Sequence, residues 1–143
     1  MKVASRDTLE HFVGHGGTHR DIGWLLDAMT AQRAVLDDHF SLCSGQHARH
    51  FLLFRAMVRA GAAFVRVVDQ LSSEIDRSTP SARACVVCPE SAGFELGRAI
   101  ARQVGAKLTV LGVDRNRRPE PRVVAGDLGP GDEVIVVNDV LTT

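Results

Sequence analysis

Three short apolar runs in the second half of the chain constrain its fold more than any other feature. They are Ala84-Cys85-Val86-Val87-Cys88, then Leu108 to Val113, then Val134-Ile135-Val136-Val137. Each is too short for a buried helix, and none alternates apolar with polar residues as a half-solvated strand does. Runs of this kind form strands buried on both faces, which is the habit of a parallel sheet. Between the first two runs, Phe94 to Val104 places Leu96, Ile100 and Val104 on one helical face, and Gly105 follows as a stop. The expected fold is therefore α/β, a parallel sheet with helices on both faces.

The flanking segments fill out this plan. Asp21 to about Leu36 reads as a helix, capped by Asp21, with Ile22, Leu25, Leu26, Met29, Arg33 and Leu36 in helical period. Residues 38–54 read as a pair of short strands around the turn Ser44-Gly45-Gln46. Arg55 to about Asp76 reads as one helix whose stripe runs through Met57, Val58, Gly61, Val65, Val68, Leu71 and Ile75. Asp114 to Pro121 is a charged loop interrupted by prolines, Arg122 to Ala125 a short edge strand, and Leu128-Gly129-Pro130-Gly131-Asp132 a turn. The organisation expected is a single domain: residues 1–54 supply an N-terminal helix and a small hood of short strands, and residues 55–143 the α/β core. Thr143 follows directly on a strand that should feed a helix, so the protein is expected to continue beyond it.

Composition excludes some classes. Lys plus Arg and Asp plus Glu both number 17, so the basic excess of a nucleic-acid binder is missing and none is expected as partner. The first residues lack the apolar core of a secretory signal, and no run approaches the length of a membrane span. The 3 cysteines make no disulfide framework, and the whole fits a reducing cytoplasm. Cys85 and Cys88 have the spacing of a CxxC pair, but within a strand they point to opposite faces, which argues against a redox or zinc role. His11, His15 and His19 are spaced as metal ligands on a helix would be, yet the intervening Gly14, Gly16 and Gly17 argue for an arm without a metal. No protein-bound metal site is expected.

The chemistry concentrates after the last apolar run, at Asn138-Asp139-Val140-Leu141-Thr142-Thr143. Ligands of open α/β sheets bind beyond the carboxyl ends of the strands. A carboxylate there, Asp139, can accept hydrogen bonds from ribose hydroxyls or hold a hydrated divalent cation. The threonine hydroxyls and the N–H groups that follow can cradle a phosphate.

Residues 134–143 resemble the motif with which type I phosphoribosyltransferases bind 5-phosphoribosyl 1-diphosphate (PRPP): an apolar run, two acidic residues, two apolar residues, then Thr-Thr-Gly. Two further blocks resemble the orotate branch of that family. Phe40 to His47 is similar to its early strand and Ser-Gly turn in the hood over the base, and Val86 to Leu96 to its pyrophosphate loop. The resemblance implies transfer of a phosphoribosyl group from PRPP to a nucleobase, with orotate as the first expectation, Mg²⁺ as cofactor and a homodimer as the assembly. Asp139 would be the catalytic carboxylate. Asn138, Asp139, Val140, Leu141, Thr142 and Thr143 would bind PRPP. Glu90, Ser91, Ala92, Gly93, Arg115, Arg117 and Arg118 would take pyrophosphate, and Phe40, Ser44 and Gly45 would line the base site. The chain departs from the family pattern at Asn138, where an acidic residue is usual, at Cys88 and Ser91-Ala92, where glycines are frequent, and in residues 114–119, which carry arginines but no lysine or histidine. These departures define two alternatives: a member that binds PRPP or a nucleotide without turnover, and an enzyme for a different base.

Overall fold

The computed structural model describes residues 2–3, 23–42, 44–78, 83–91, 93–114 and 119–139. The expectations for His11, His15 and His19, for Ala92, for Arg115, Arg117 and Arg118, and for Val140 to Thr143 lie outside the described residues. The chain divides into two compact units, residues 1–64 and 65–143.

The first unit is built on a three-stranded antiparallel sheet in the order β1 (Lys2–Val3), β2 (Val35–Ser41), β3 (His47–Leu52). Helix α1 spans Gly23–Ala31 and stops five residues short of the expected Leu36. The chain turns back instead, with Arg33 at a left-handed φ of 51° and the Ala34 N–H bonded to the Met29 carbonyl at 2.8 Å. Leu36 continues the helical period in sequence, but with Val35 it opens β2, where the two pair with Phe51 and Leu52. Leu26 and Val35 form the small core of this unit, with Met29 and Leu52 packed against them. The hairpin turn forms as expected. Gly45 adopts φ 81°, a conformation that costs glycine little, and the Leu42 N–H bonds the Gln46 carbonyl at 2.8 Å.

The single helix expected over residues 55–76 is two: α2 (Phe54–Val58) and α3 (Ala62–Ser78). Gly61, at φ 55°, breaks the period that continues through it in sequence. Residues of α3 from Val65 onward belong to the second unit.

The second unit holds a four-stranded sheet in the order β6-β5-β4-β7: β4 is Ala84–Pro89, β5 Lys107–Val113, β6 Pro119–Ala125 and β7 Glu133–Val136. The three apolar runs are its parallel strands, with β4 between β5 and β7. Every residue of β4 is buried. Strand β6 runs antiparallel to β5 and starts three residues before the expected Arg122. Its two prolines suggested a loop, but a strand paired on one side only tolerates proline.

Helix α4 (Phe94–Val104) crosses β4 and β5 with Leu96, Gly97, Ile100 and Ala101 buried, and ends on Gly105 at φ 68°. The close approach depends on Gly97: a Cβ there would lie 2.7 Å from the Cys88 sulfur. The opposite side of β4 and β5 meets the loop after β6. The buried Thr109 hydroxyl donates to the Asp127 carbonyl at 2.6 Å and touches the Cys85 sulfur at 3.4 Å. At the amino end of the sheet, Lys107 donates to both carboxylate oxygens of Asp132 at 2.8 and 2.7 Å. The Gly129 N–H donates to the same carboxylate at 2.8 Å, fixing the predicted 128–132 turn.

Candidate active site

Strands β4 and β7 are parallel neighbours, so their carboxyl ends leave the sheet side by side. The Val137 N–H still bonds the Val87 carbonyl at 2.9 Å, and Val137 is buried. Beyond it, Asn138 and Asp139 are half-buried. Beyond β4, the backbone folds into α4 through Ser91, whose carbonyl accepts the Phe94 N–H at 3.2 Å.

Among the described residues, these two strand ends meet at Gly93 and Asn138. Gly93, at the start of α4, lies so close to Asn138 that a Cβ on it would fall 2.8 Å from the Asn138 side-chain oxygen and 3.2 Å from its Cα. The Pro89 ring stands on a third side at 3.2 Å. Gly93 has φ −75°, so the need for glycine here is one of space, not of backbone conformation. The contact brings the expected pyrophosphate loop against the expected PRPP motif, although 45 residues separate Gly93 from Asn138 in sequence. The amino end of an eleven-residue helix thus lies beside the Asn138 side chain, and the amino end of a helix favours an anionic ligand.

Glu90 is held differently from its neighbours. Its N–H bonds the Leu111 carbonyl at 2.9 Å, and its carboxylate accepts the Val113 N–H at 3.1 Å. The two cysteines of β4 are buried on opposite faces, Cys88 against Gly97 and Cys85 beside Thr109. Burial pushes the Cys88 thiol up to about 11, so it stays protonated and unreactive at neutral pH. Among the described residues, no cluster of three or more His, Cys, Asp or Glu could hold a metal ion, and no helix is long and apolar enough to cross a membrane.

Phe40, Ser44 and Gly45 belong to the first unit, where each has a local contact. Phe40 packs against Phe51 with ring centroids 5.4 Å apart, and the Ser44 hydroxyl accepts the Gln46 N–H at 3.4 Å beside the left-handed Gly45. The same hairpin carries an open cleft of about 370 Å³ lined by Asp37, Asp38, His39, His47, Ala48 and Arg49, which sequence reasoning passed over. Arg49 forks onto Asp37 at 3.0 and 3.3 Å, and the His39 and His47 rings meet nitrogen to nitrogen at 2.6 Å. The Asp38 carboxyl is held below its ordinary range by the His39 backbone N–H. The signal was present as the polar run Asp37-Asp38-His39 in β2 and the polar residues His47 and Arg49 in β3, but the pairing that joins them depends on a register shift between Asp37 and Phe40.

Residues 55–143 match the phosphoribosyl transferase domain family. The chain belongs to that family. Among its relatives is the orotate phosphoribosyltransferase of Novosphingobium aromaticivorans, 28% identical over 119 residues, a match covering 83% of this chain and 60% of the relative. The fold is that of the orotate phosphoribosyltransferase structure from Francisella tularensis, with TM-score 0.52 at 16% identity, over 87% of this chain and 58% of the other. It is also similar to Leishmania donovani UMP synthase, with TM-score 0.59 at 19% identity, over 82% of this chain and 24% of that one. The chain thus spans about 60% of the length of the curated relatives it matches.

Proposed function

We propose that this chain forms the PRPP-binding part of an enzyme that transfers ribose 5-phosphate from PRPP to a nucleobase, with orotate as the base. The observation that carries the reading is the packing of Gly93 against Asn138, which joins the two loops such a substrate needs at the ends of adjacent parallel strands. A nitrogen of the base would form its bond to the anomeric carbon and give up its proton. The carbon–oxygen bond to pyrophosphate would break, and pyrophosphate would leave with the electron pair. Positive charge would then develop on the ribose ring, and the Asp139 carboxylate would hold the ribose hydroxyls and offset that charge. The loop Glu90 to Gly93, with the amino end of α4, would receive pyrophosphate, joined by Arg115, Arg117 and Arg118. Val140 to Thr143 would continue into the 5′-phosphate cradle.

The oxygen donors of Asn138 and Asp139 suit a hydrated Mg²⁺, a hard cation that binds through few carboxylates together with substrate phosphates. When bound it would neutralise charge on the diphosphate. A homodimer working in the cytoplasm completes the proposal.

One residue favours a second reading. Asn138 is uncharged where the family pattern is acidic, which suits a member that binds PRPP or a nucleotide as a signal without turnover. Calorimetry of PRPP with Mg²⁺, on this chain and on a full-length protein that contains it, separates the readings. Asp139→Asn should weaken binding about tenfold or more, the scale of hydrogen bonds to a charged group. Orotate added afterwards should release pyrophosphate. Binding without turnover across a panel of bases would favour the second reading, and a full-length protein that ignores PRPP would end both.

A further inference from the structure

Glu90 stands among the residues assigned to pyrophosphate, yet a carboxylate is a poor partner for that anion. Its contacts suggest other work. Strands β4 and β5 pair in parallel as far as Pro89 and Leu111. The ladder continues for one more bond, from the Glu90 N–H to the Leu111 carbonyl at 2.9 Å. In a regular parallel ladder the next bond would run from the Val113 N–H to the Glu90 main-chain carbonyl. Here the Val113 N–H reaches the Glu90 side chain instead, at 3.1 Å from Oε1.

We infer that Glu90 is a positioning residue: its carboxylate replaces its own main-chain carbonyl as the last rung between β4 and β5, so the backbone can leave the sheet at Glu90 and turn through Ser91 to place Gly93 on Asn138. The inference deepens the proposed function, and its value for catalysis rests on that reading. A strand that kept its backbone in the ladder past Glu90 would run on between β5 and β7 and would not turn into α4. A strand that left without a substitute would strip the Val113 N–H of its partner and loosen the carboxyl end of β5. The side chain resolves the conflict because a glutamate is long enough to reach across to the neighbouring strand from a backbone that has begun to turn. The role needs an acceptor oxygen at that reach and does not need the negative charge.

That distinction sets the test. Glu90→Gln keeps a carbonyl oxygen at the same reach without the charge, and Glu90→Ala removes both. Two quantities are measured on each variant and on the unaltered chain: the exchange rate of the Val113 amide hydrogen by NMR, and the affinity for inorganic pyrophosphate with Mg²⁺ by calorimetry. In Glu90→Ala the Val113 amide should exchange about fivefold faster, the scale of one lost hydrogen bond, and pyrophosphate should bind several-fold more weakly. In Glu90→Gln the Val113 amide should exchange near the rate of the unaltered chain, because the amide oxygen can still accept its N–H. Unchanged Val113 exchange in Glu90→Ala would overturn the inference, as would a Glu90→Gln variant whose Val113 amide exchanges as fast as that of the alanine variant. Tighter pyrophosphate binding in Glu90→Ala would show a carboxylate acting by repulsion, and would overturn it too. A chain that binds no pyrophosphate in any form counts against the proposed function, while the exchange measurement still decides the role of Glu90.

Discussion

Gly93 shows how much of the site depends on an absent methyl group. Three atoms, two from Asn138 and one from Pro89, lie within 3.2 Å of where its Cβ would be, and two of them are backbone or ring atoms with little room to move. Gly93→Ala should therefore separate the two strand ends. Overpacking of this kind costs about 1–3 kcal/mol, and thermal unfolding with PRPP calorimetry on the same sample should find both stability and binding reduced. Asp132 has a different kind of dependence. The Lys107 ammonium, and then the Gly129 N–H, hold its carboxyl below the ordinary 3.8. A depressed value means that the carboxylate stabilises the fold above pH 3.8, and that this stability is lost as pH falls through the depressed value. Asp132→Asn should lower Tm at neutral pH, with the gap to the unaltered chain closing in acid, as a Tm-against-pH series would show.

At the scale of elements, the second unit was more legible than the first, for a physical reason. Its parallel strands follow unbroken apolar runs, and α4 a clean apolar stripe with a glycine at its end. The burial on both faces expected of all three runs holds fully only for β4: β7, paired on one side among the described residues, leaves Val134 and Val136 exposed. Boundaries went astray where one residue takes a rare backbone angle. Arg33 at φ 51° and Gly61 at φ 55° each interrupt an apolar period that carries on in sequence, so one helix was read too long and two helices were read as one. Periodicity records which face a residue shows, not whether the chain has turned between two neighbours. The prolines of β6 misled in the opposite sense, because the rule against them holds for strands paired on both sides. Asn138, Asp139 and Gly93 were legible as a motif and a loop, but their contact was not, since it depends on which strand lies beside β4. The ladder role of Glu90 was hidden for the same reason: its partner, Val113, is on the far side of a helix in sequence.

At the scale of the whole molecule, the match to the family covers the second unit entirely, and the chain accounts for about 60% of its relatives' length. What this unit does as a body can be followed from inside it. The Cys88 sulfur sits in the notch left by Gly97, with 1% of the residue exposed, and its thiol is raised to about 11. An alkylating reagent can reach it only during the moments when α4 lifts from β4, so the rate of labelling counts those moments. Under native conditions at neutral pH, Cys88 should label far more slowly than in denaturant, as mass spectrometry of the modified peptide would show. If PRPP draws the two strand ends together, it should slow that labelling further, because a ligand that binds only the closed form makes opening rarer. The sulfur is thus a clock placed by the sequence itself between the helix and the sheet, and it runs whether or not any reaction is catalysed.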